Sequence, residues 1–175
     1  MKNLPRRKAT RLCHYDYSLA GCYFITICTH ERHYLFGDVI DGEMRLNECG
    51  QIAHKELETL SGRYDNVDVD IFVVMPNHAH LILRIEMAEW INPFPTKAVD
   101  VPNIIGKYKA GVTRSAGSAF MRSESKIWQL SYHDHIIRND KSYEKIAKYI
   151  EHNPRLWDED RHNPGNPEFE KWRNG

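Results

Sequence analysis

Val73-Val74-Met75-Pro76-Asn77-His78-Ala79-His80-Leu81-Ile82-Leu83 is an apolar run, a Pro-Asn break and a second apolar run opened by two histidines. It reads as strand, turn, strand. Side chains of an extended chain alternate between faces, so His78 and His80 share one face while Ala79 and Leu81 share the other. That spacing offers a divalent metal two imidazoles on a rigid support. Taken alone, the pair also fits a strand in which one histidine covers the end and the other sits half exposed.

Working outward, Val67, Val69, Ile71 and Val73 alternate with Asp68, Asp70 and Phe72 before the run becomes wholly apolar, the pattern of a strand that starts at an edge and enters a core. Upstream, Tyr23 to Thr29 is rich in β-branched and aromatic residues and reads as a buried first strand. Residues 39–44 form a hairpin around Asp41-Gly42, whose composition suits the positive φ angles of a type I′ turn. Asn47 caps a helix with Ile52, Ala53, Leu57 and Leu60 near one face and Gly62 at its end. Residues 90–102, with Pro93, Pro95 and Pro102, make a loop. A second helix over 103–120 turns Ile104, Ile105, Tyr108 and Val112 inward; Gly106 and Gly111 each weaken it by roughly 1 kcal/mol, which marks either a close approach or merely a soft helix. A strand at 133–137 and a helix capped by Asp140 follow, with Tyr143, Ile146, Ala147 and Ile150 as its stripe and Pro154 as its stop. Without the hairpin, the order is strand, helix, strand, strand, helix, strand, helix. That is an α+β, ferredoxin-like split β-α-β core with an antiparallel sheet and an added C-terminal helix.

A chain of 175 residues is expected to form a single domain, 1–175, with a core over about 10–157, a basic arm at 1–11 and a charged, loosely attached tail at 158–175. Lys plus Arg and Asp plus Glu number 24 each, so net charge points to no class of partner. Distribution says more: Arg6, Arg7 and Lys8 lie in an acid-free arm, and Lys107, Lys109 and Arg114 in an acid-free helix. Each run is either a solvated face or a track for phosphates. Cys13, Cys22, Cys28 and Cys49 show no metal-binding spacing, and with no long apolar span the expected setting is the cytoplasm, away from membranes.

On the last helix, with Ile146 set at zero, Ile150 falls at about 40°, Asn153 at about −20° and Tyr149 at about −60°. Tyr149 and Asn153 therefore flank the buried stripe. Such a helix can present a phenol and an amide oxygen to residues standing on the strands. A core-edge tyrosine and an Asn-Pro helix stop would leave the same letters.

The Met75-Pro-Asn-His-x-His stretch resembles the HUH motif of single-strand nucleases, in the form carried by one-tyrosine transposases. Cys22 to Cys28, the block from Ile127-Trp128-Gln129 to Ile136-Ile137-Arg138-Asn139, and Tyr149-Ile150-Glu151-His152-Asn153-Pro154 resemble the REP-associated tyrosine transposase branch in the same order. The resemblance implies a metal-dependent enzyme that cleaves and rejoins single-stranded DNA, often as hairpins. It implies Tyr149 as nucleophile, ending on a 5′ phosphate, with His78 and His80 catalytic and His78, His80 and Asn153 holding Mg2+ or Mn2+. Two imidazoles and an amide leave the ion's charge unneutralised, which suits a Lewis acid at phosphate. The DNA is expected against Arg6, Arg7, Lys8, Lys107, Lys109 and Arg114, on a monomer or homodimer. A non-catalytic single-strand binding module and a replication-initiator or relaxase-type nuclease are the alternatives.

Overall fold

The computed structural model describes residues 15–87, 99–117 and 126–174, the last three by backbone alone. Strands Gly21–Cys28 (β1), Val67–Met75 (β4), His78–Ile85 (β5) and His133–Ile137 (β6) form one sheet in the order β4-β5-β1-β6, every pair antiparallel. Between β1 and β4 lies a two-stranded ribbon, Gly37–Ile40 (β2) and Glu43–Leu46 (β3). Asp41 and Gly42 join its strands at φ of 52° and 73°, as the type I′ turn requires.

Helices Glu48–Glu58 (α1) and Val101–Ser115 (α2) cover one face of the sheet. The helix Asp140–His152 (α3) packs on the other through Tyr143, Ile146, Ala147 and Ile150, against Ile82, Phe24, Ile71 and Val73. The ferredoxin-like α+β arrangement with an added C-terminal helix is therefore what the chain adopts. A short helix, Phe169–Asn174 (α4), follows.

Several boundaries differ from expectation for local reasons. Asn47 caps α1 as expected, accepting from Gly50 N at 2.9 Å, but the helix stops at Glu58 and Gly62 falls in a following 3₁₀ turn. α2 begins two residues early: Asp100 accepts from Asn103 N at 2.7 Å, and Pro102 fits the first turn, where a missing N–H removes no helical bond. Asn139, not Asp140, caps α3, accepting from Ser142 N at 2.9 Å. Pro154 stops α3 as expected, the helix ending at His152 with Asn153 as its C-cap, and the chain then tightens into a 3₁₀ segment, Asn153–Glu159, in which a proline near the start is tolerated. Gly111 is a close approach, since a Cβ there would stand 2.4 Å from Glu56 Oε2, whereas Gly106 has open space. The arm with Arg6, Arg7 and Lys8, the core of the proline-rich loop and the far end of the second helix lie outside the described residues.

Candidate active site

Alternation on β5 does what the two histidines require. Ala79, Leu81 and Leu83 enter the core under α1 and α2, while His78 and His80 face α3, both essentially without solvent exposure. Their rings lie 4.4 Å apart, centroid to centroid.

Each ring is oriented through Nδ1. His78 Nδ1 lies 2.9 Å from Asn77 Oδ1, and the same amide's Nδ2 donates to the carbonyls of His162 at 2.7 Å and Arg32 at 3.2 Å. With its donors committed, the Asn77 oxygen can only accept, so His78 carries its proton on Nδ1 and turns a bare Nε2 into the site. His80 Nδ1 meets Thr26 Oγ1, its neighbour across β1, at 2.8 Å, and its Nε2 likewise faces the site. Asn77 thus does more than make the turn for which the sequence marks it.

α3 delivers Tyr149 from the opposite side. Its hydroxyl lies 3.2 Å from His80 Nε2 and donates to Asp160 Oδ2 at 3.1 Å. Asn153, fully buried at the α3 C-cap, donates through Nδ2 to the same carboxylate oxygen at 2.9 Å. Of the buried side-chain atoms that lack a hydrogen-bond partner among the described residues, two stand at this site, His78 Nε2 and Asn153 Oδ1. A buried imidazole nitrogen and amide oxygen left open cost stability unless something electrophilic meets them, and this donor chemistry fits a divalent ion. His78, His80 and Asp160 also offer one ligand atom each within 4.8 Å of one another. A carboxylate therefore stands where the sequence suggested only neutral ligands.

The electrostatics agree. Burial, then the Arg32 guanidinium, push His78 down to about 3, against a smaller opposing pull from the Asn153 amide. Burial and then His78 push His80 well below the ordinary histidine value. Both rings are neutral at pH 7, the state a metal needs. Burial and the Asp160 charge raise the Tyr149 phenol, so it keeps its proton until positive charge reaches it. Cys28 stands across β1 from His78, but burial raises its thiol and it is no thiolate at neutral pH.

Asp160 belongs to the segment expected to be a loose surface tail, and that expectation is wrong. Asp160, His162, Asn163 and Asn166 are all buried, and Trp157 packs near His78 with ring centroids 6.0 Å apart. The segment is a chain of linked turns. Asp160 Oδ1 accepts from His162 N at 2.6 Å, Asn163 Oδ1 from Gly165 N at 2.8 Å and Asn166 Oδ1 from Glu168 N at 2.9 Å. Arg32 donates to His162 Nδ1, tying the segment to the turn after β1. A signal was present: Asp or Asn at every third position, 160, 163 and 166, each able to close its own turn, after a tryptophan costly to leave in water.

The expected DNA-contacting residues fall elsewhere. Lys107 and Arg114 are exposed on α2, across the sheet from His78 and His80, and the Lys107 ammonium stands 5.1 Å from the centre of the Tyr64 ring. Lys109 donates to the carbonyls of Gln129 and Ser131, both at 2.9 Å.

The fold is that of a REP-associated tyrosine transposase: a solved structure of one bound to a REP hairpin matches 82% of this chain and 73% of its own, with a TM-score of 0.58 at 21% identity. The fold implied by the sequence motifs is thus the one the chain adopts. By sequence, the chain belongs to one family with an uncharacterized protein of Haemophilus influenzae, 38% identical over 174 residues, which cover 90% of this chain and 93% of the relative. No family model matches. A crystal structure of a candidate transposase from Deinococcus radiodurans covers 81% of this chain and 95% of its own at 20% identity, but its TM-score of 0.47 is too low to add to the comparison. Among the described residues, no helix is long and apolar enough to cross a membrane.

Proposed function

We propose that the chain is a metal-dependent single-stranded-DNA transposase that cleaves and rejoins strands through a 5′-phosphotyrosine at hairpin-forming repeats. The observation that carries this reading is the Tyr149 hydroxyl beside His80 Nε2 and Asp160 Oδ2, next to the two unpartnered atoms of His78 and Asn153. The likeness in fold to a transposase bound to a REP hairpin supports it, and suggests a hairpin as the DNA here too.

His78, His80 and Asn153, with the Asp160 carboxylate beside them, would hold Mg2+ or Mn2+. When bound, such an ion supplies Lewis acidity to a phosphate oxygen. The protein's residues do the rest. Asn77 and Thr26 hold the two imidazoles in orientation, and α3 holds the phenol against them. The Tyr149 oxygen attacks phosphorus as its proton passes to Asp160 Oδ2, a base unassigned from the sequence. The bond from phosphorus to the 3′ oxygen breaks, and that oxygen leaves as a hydroxyl once protonated by solvent. The 5′ phosphate stays on Tyr149, conserving the bond energy for rejoining when a 3′ hydroxyl returns along the same path. Every group named comes from one chain, so a monomer suffices for cleavage and a homodimer is compatible with it. The arm and the exposed Lys107 and Arg114 remain candidates for holding the hairpin's backbone at a distance.

Tyr149→Phe removes one oxygen and little packing. Incubated with Mn2+ and end-labelled single-stranded hairpin DNA, the native protein is expected to give a covalent adduct on a denaturing gel, and Tyr149→Phe none, while both bind the DNA alike. Tyr143, whose hydroxyl is bound to Asp70 at 2.5 Å away from the histidines, serves as control. An adduct that persists in Tyr149→Phe moves the nucleophile elsewhere; DNA binding without cleavage by the native protein favours the binding module.

A further inference from the structure

A cleft of about 1180 Å³ opens beside the candidate active site, and its walls come from segments that the sequence did not connect with DNA. Arg32 belongs to the turn after β1, His133 begins β6, and Arg161 and His162 belong to the chain of turns after α3. The cleft is continuous with the catalytic row. Thr26 pairs with His80 on one side and His133 on the other, so the three stand in line across the sheet on one face. His162 forms the partition, its ring 4.6 Å from that of His78.

We propose that this cleft binds the phosphodiester next to the scissile one, holding it with the Arg161 and Arg32 guanidiniums and with His133, so that the strand crosses the sheet along the row from His80 to His133. This rests on the single-strand reading above and adds the path of the strand to it. A planar guanidinium gives a phosphate two parallel hydrogen bonds, and an unpaired strand presents such phosphates without a duplex to exclude them from a cleft. Both arginines also act electrostatically on His78, His80, His133 and His162, holding all four below the ordinary histidine value alongside the larger effect of burial. Their positive field is therefore directed at the site and the row together. Glu31 and Glu170 are the opposing charges in the lining, and repulsion from them favours a strand seated against the arginines. The α2 residues Lys107 and Arg114 cannot take this role from across the sheet.

Arg161 is exposed, so its replacement leaves the core intact. The probe is a fluorescent thymidine 12-mer, bound by the full chain in EDTA from 50 to 300 mM salt and read by anisotropy. Arg161→Ala is expected to weaken binding severalfold and to flatten the plot of log K against log salt by about 0.7, the value of one phosphate contact on a single strand. Arg161→Lys should keep the slope. A thymidine trinucleotide, too short to reach α2 from the cleft, should shift the His133 imidazole signals in NMR spectra of the native protein and much less in Arg161→Ala. Native affinity and slope in Arg161→Ala, or His133 signals indifferent to the trinucleotide, overturn the cleft while leaving the single-strand reading standing. Failure of the native protein to bind the 12-mer overturns both.

Discussion

The two faces of β5 are built from alternate residues of one strand, and they are finished in opposite ways. Under α1 and α2, Leu81, Leu83, Ile25, Ile27 and Tyr23 are fully buried and bring few polar groups with them. Under α3, one residue along each strand, His78, His80 and Thr26 are buried too, together with Asn153 and Asp160, but all are polar, and two of their atoms stay unpartnered. Packing on the first face is complete in the protein by itself. The second face is complete only in its scaffolding, with nitrogens and oxygens turned toward a common point. A strand of period two can thus divide stability from chemistry residue by residue.

The sharpest way to break that division is to change neighbours. Replacing both His78 and His80 with alanine is expected to abolish Mn2+-dependent cleavage and Mn2+ binding measured by calorimetry, with the circular dichroism spectrum kept. Leu81→Ala, next to His80 in the chain but on the opposite face, is expected to cost about 2–5 kcal/mol in urea unfolding, with cleavage retained by the folded fraction. Equal losses of stability in the two variants would mean that the histidine face is as much a core as the other.

A smaller effect tests how the open face is held. Asn77→Ala frees the His78 ring to choose its tautomer, and should weaken Mn2+ binding by about 10–100-fold in calorimetry, the usual range for a group that orients a metal ligand. The nitrogen spectrum of the metal-free variant should show His78 protonated on either nitrogen, where the native protein shows Nδ1 alone. An unchanged affinity would leave Asn77 as a turn residue only.

A test that needs no substitution is pH. His78, His80 and His162 are held neutral in the metal-free protein, His78 down to about 3, mainly because burial disfavours the charged ring. In the unfolded chain they titrate near the ordinary value of about 6.5. As pH falls below that value, the unfolded state takes up protons that the folded state refuses. The stability present above pH 6.5 is therefore lost toward pH 3, by up to about 1.4 kcal/mol per pH unit for each histidine. Melting temperatures in EDTA should fall steeply between pH 6.5 and 4.5, and less steeply in His162→Gln. The apolar face contributes nothing to this slope, so a flat profile would deny the contrast between the faces.

Much of this was legible in the chain. The period-two run through His78 and His80, the Asp41-Gly42 turn and the stripe on α3 are local patterns, each set by the geometry of a few consecutive residues, and together they specify the element order and the ferredoxin-like sheet. The angular positions of Tyr149 and Asn153 follow from helix geometry in the same way. What local geometry does not contain is which segment closes the site. Asp160, His162 and Arg32 reach the histidines through contacts spanning up to 130 residues, and a run such as Asp158 to Asp160 looks the same in a solvated tail as in a buried one. Only docking of the three linked turns against Trp157 and Arg32 decides that Asp160 meets Tyr149. Burial then decides the charge states, because desolvation belongs to the assembled protein and to no stretch of its sequence.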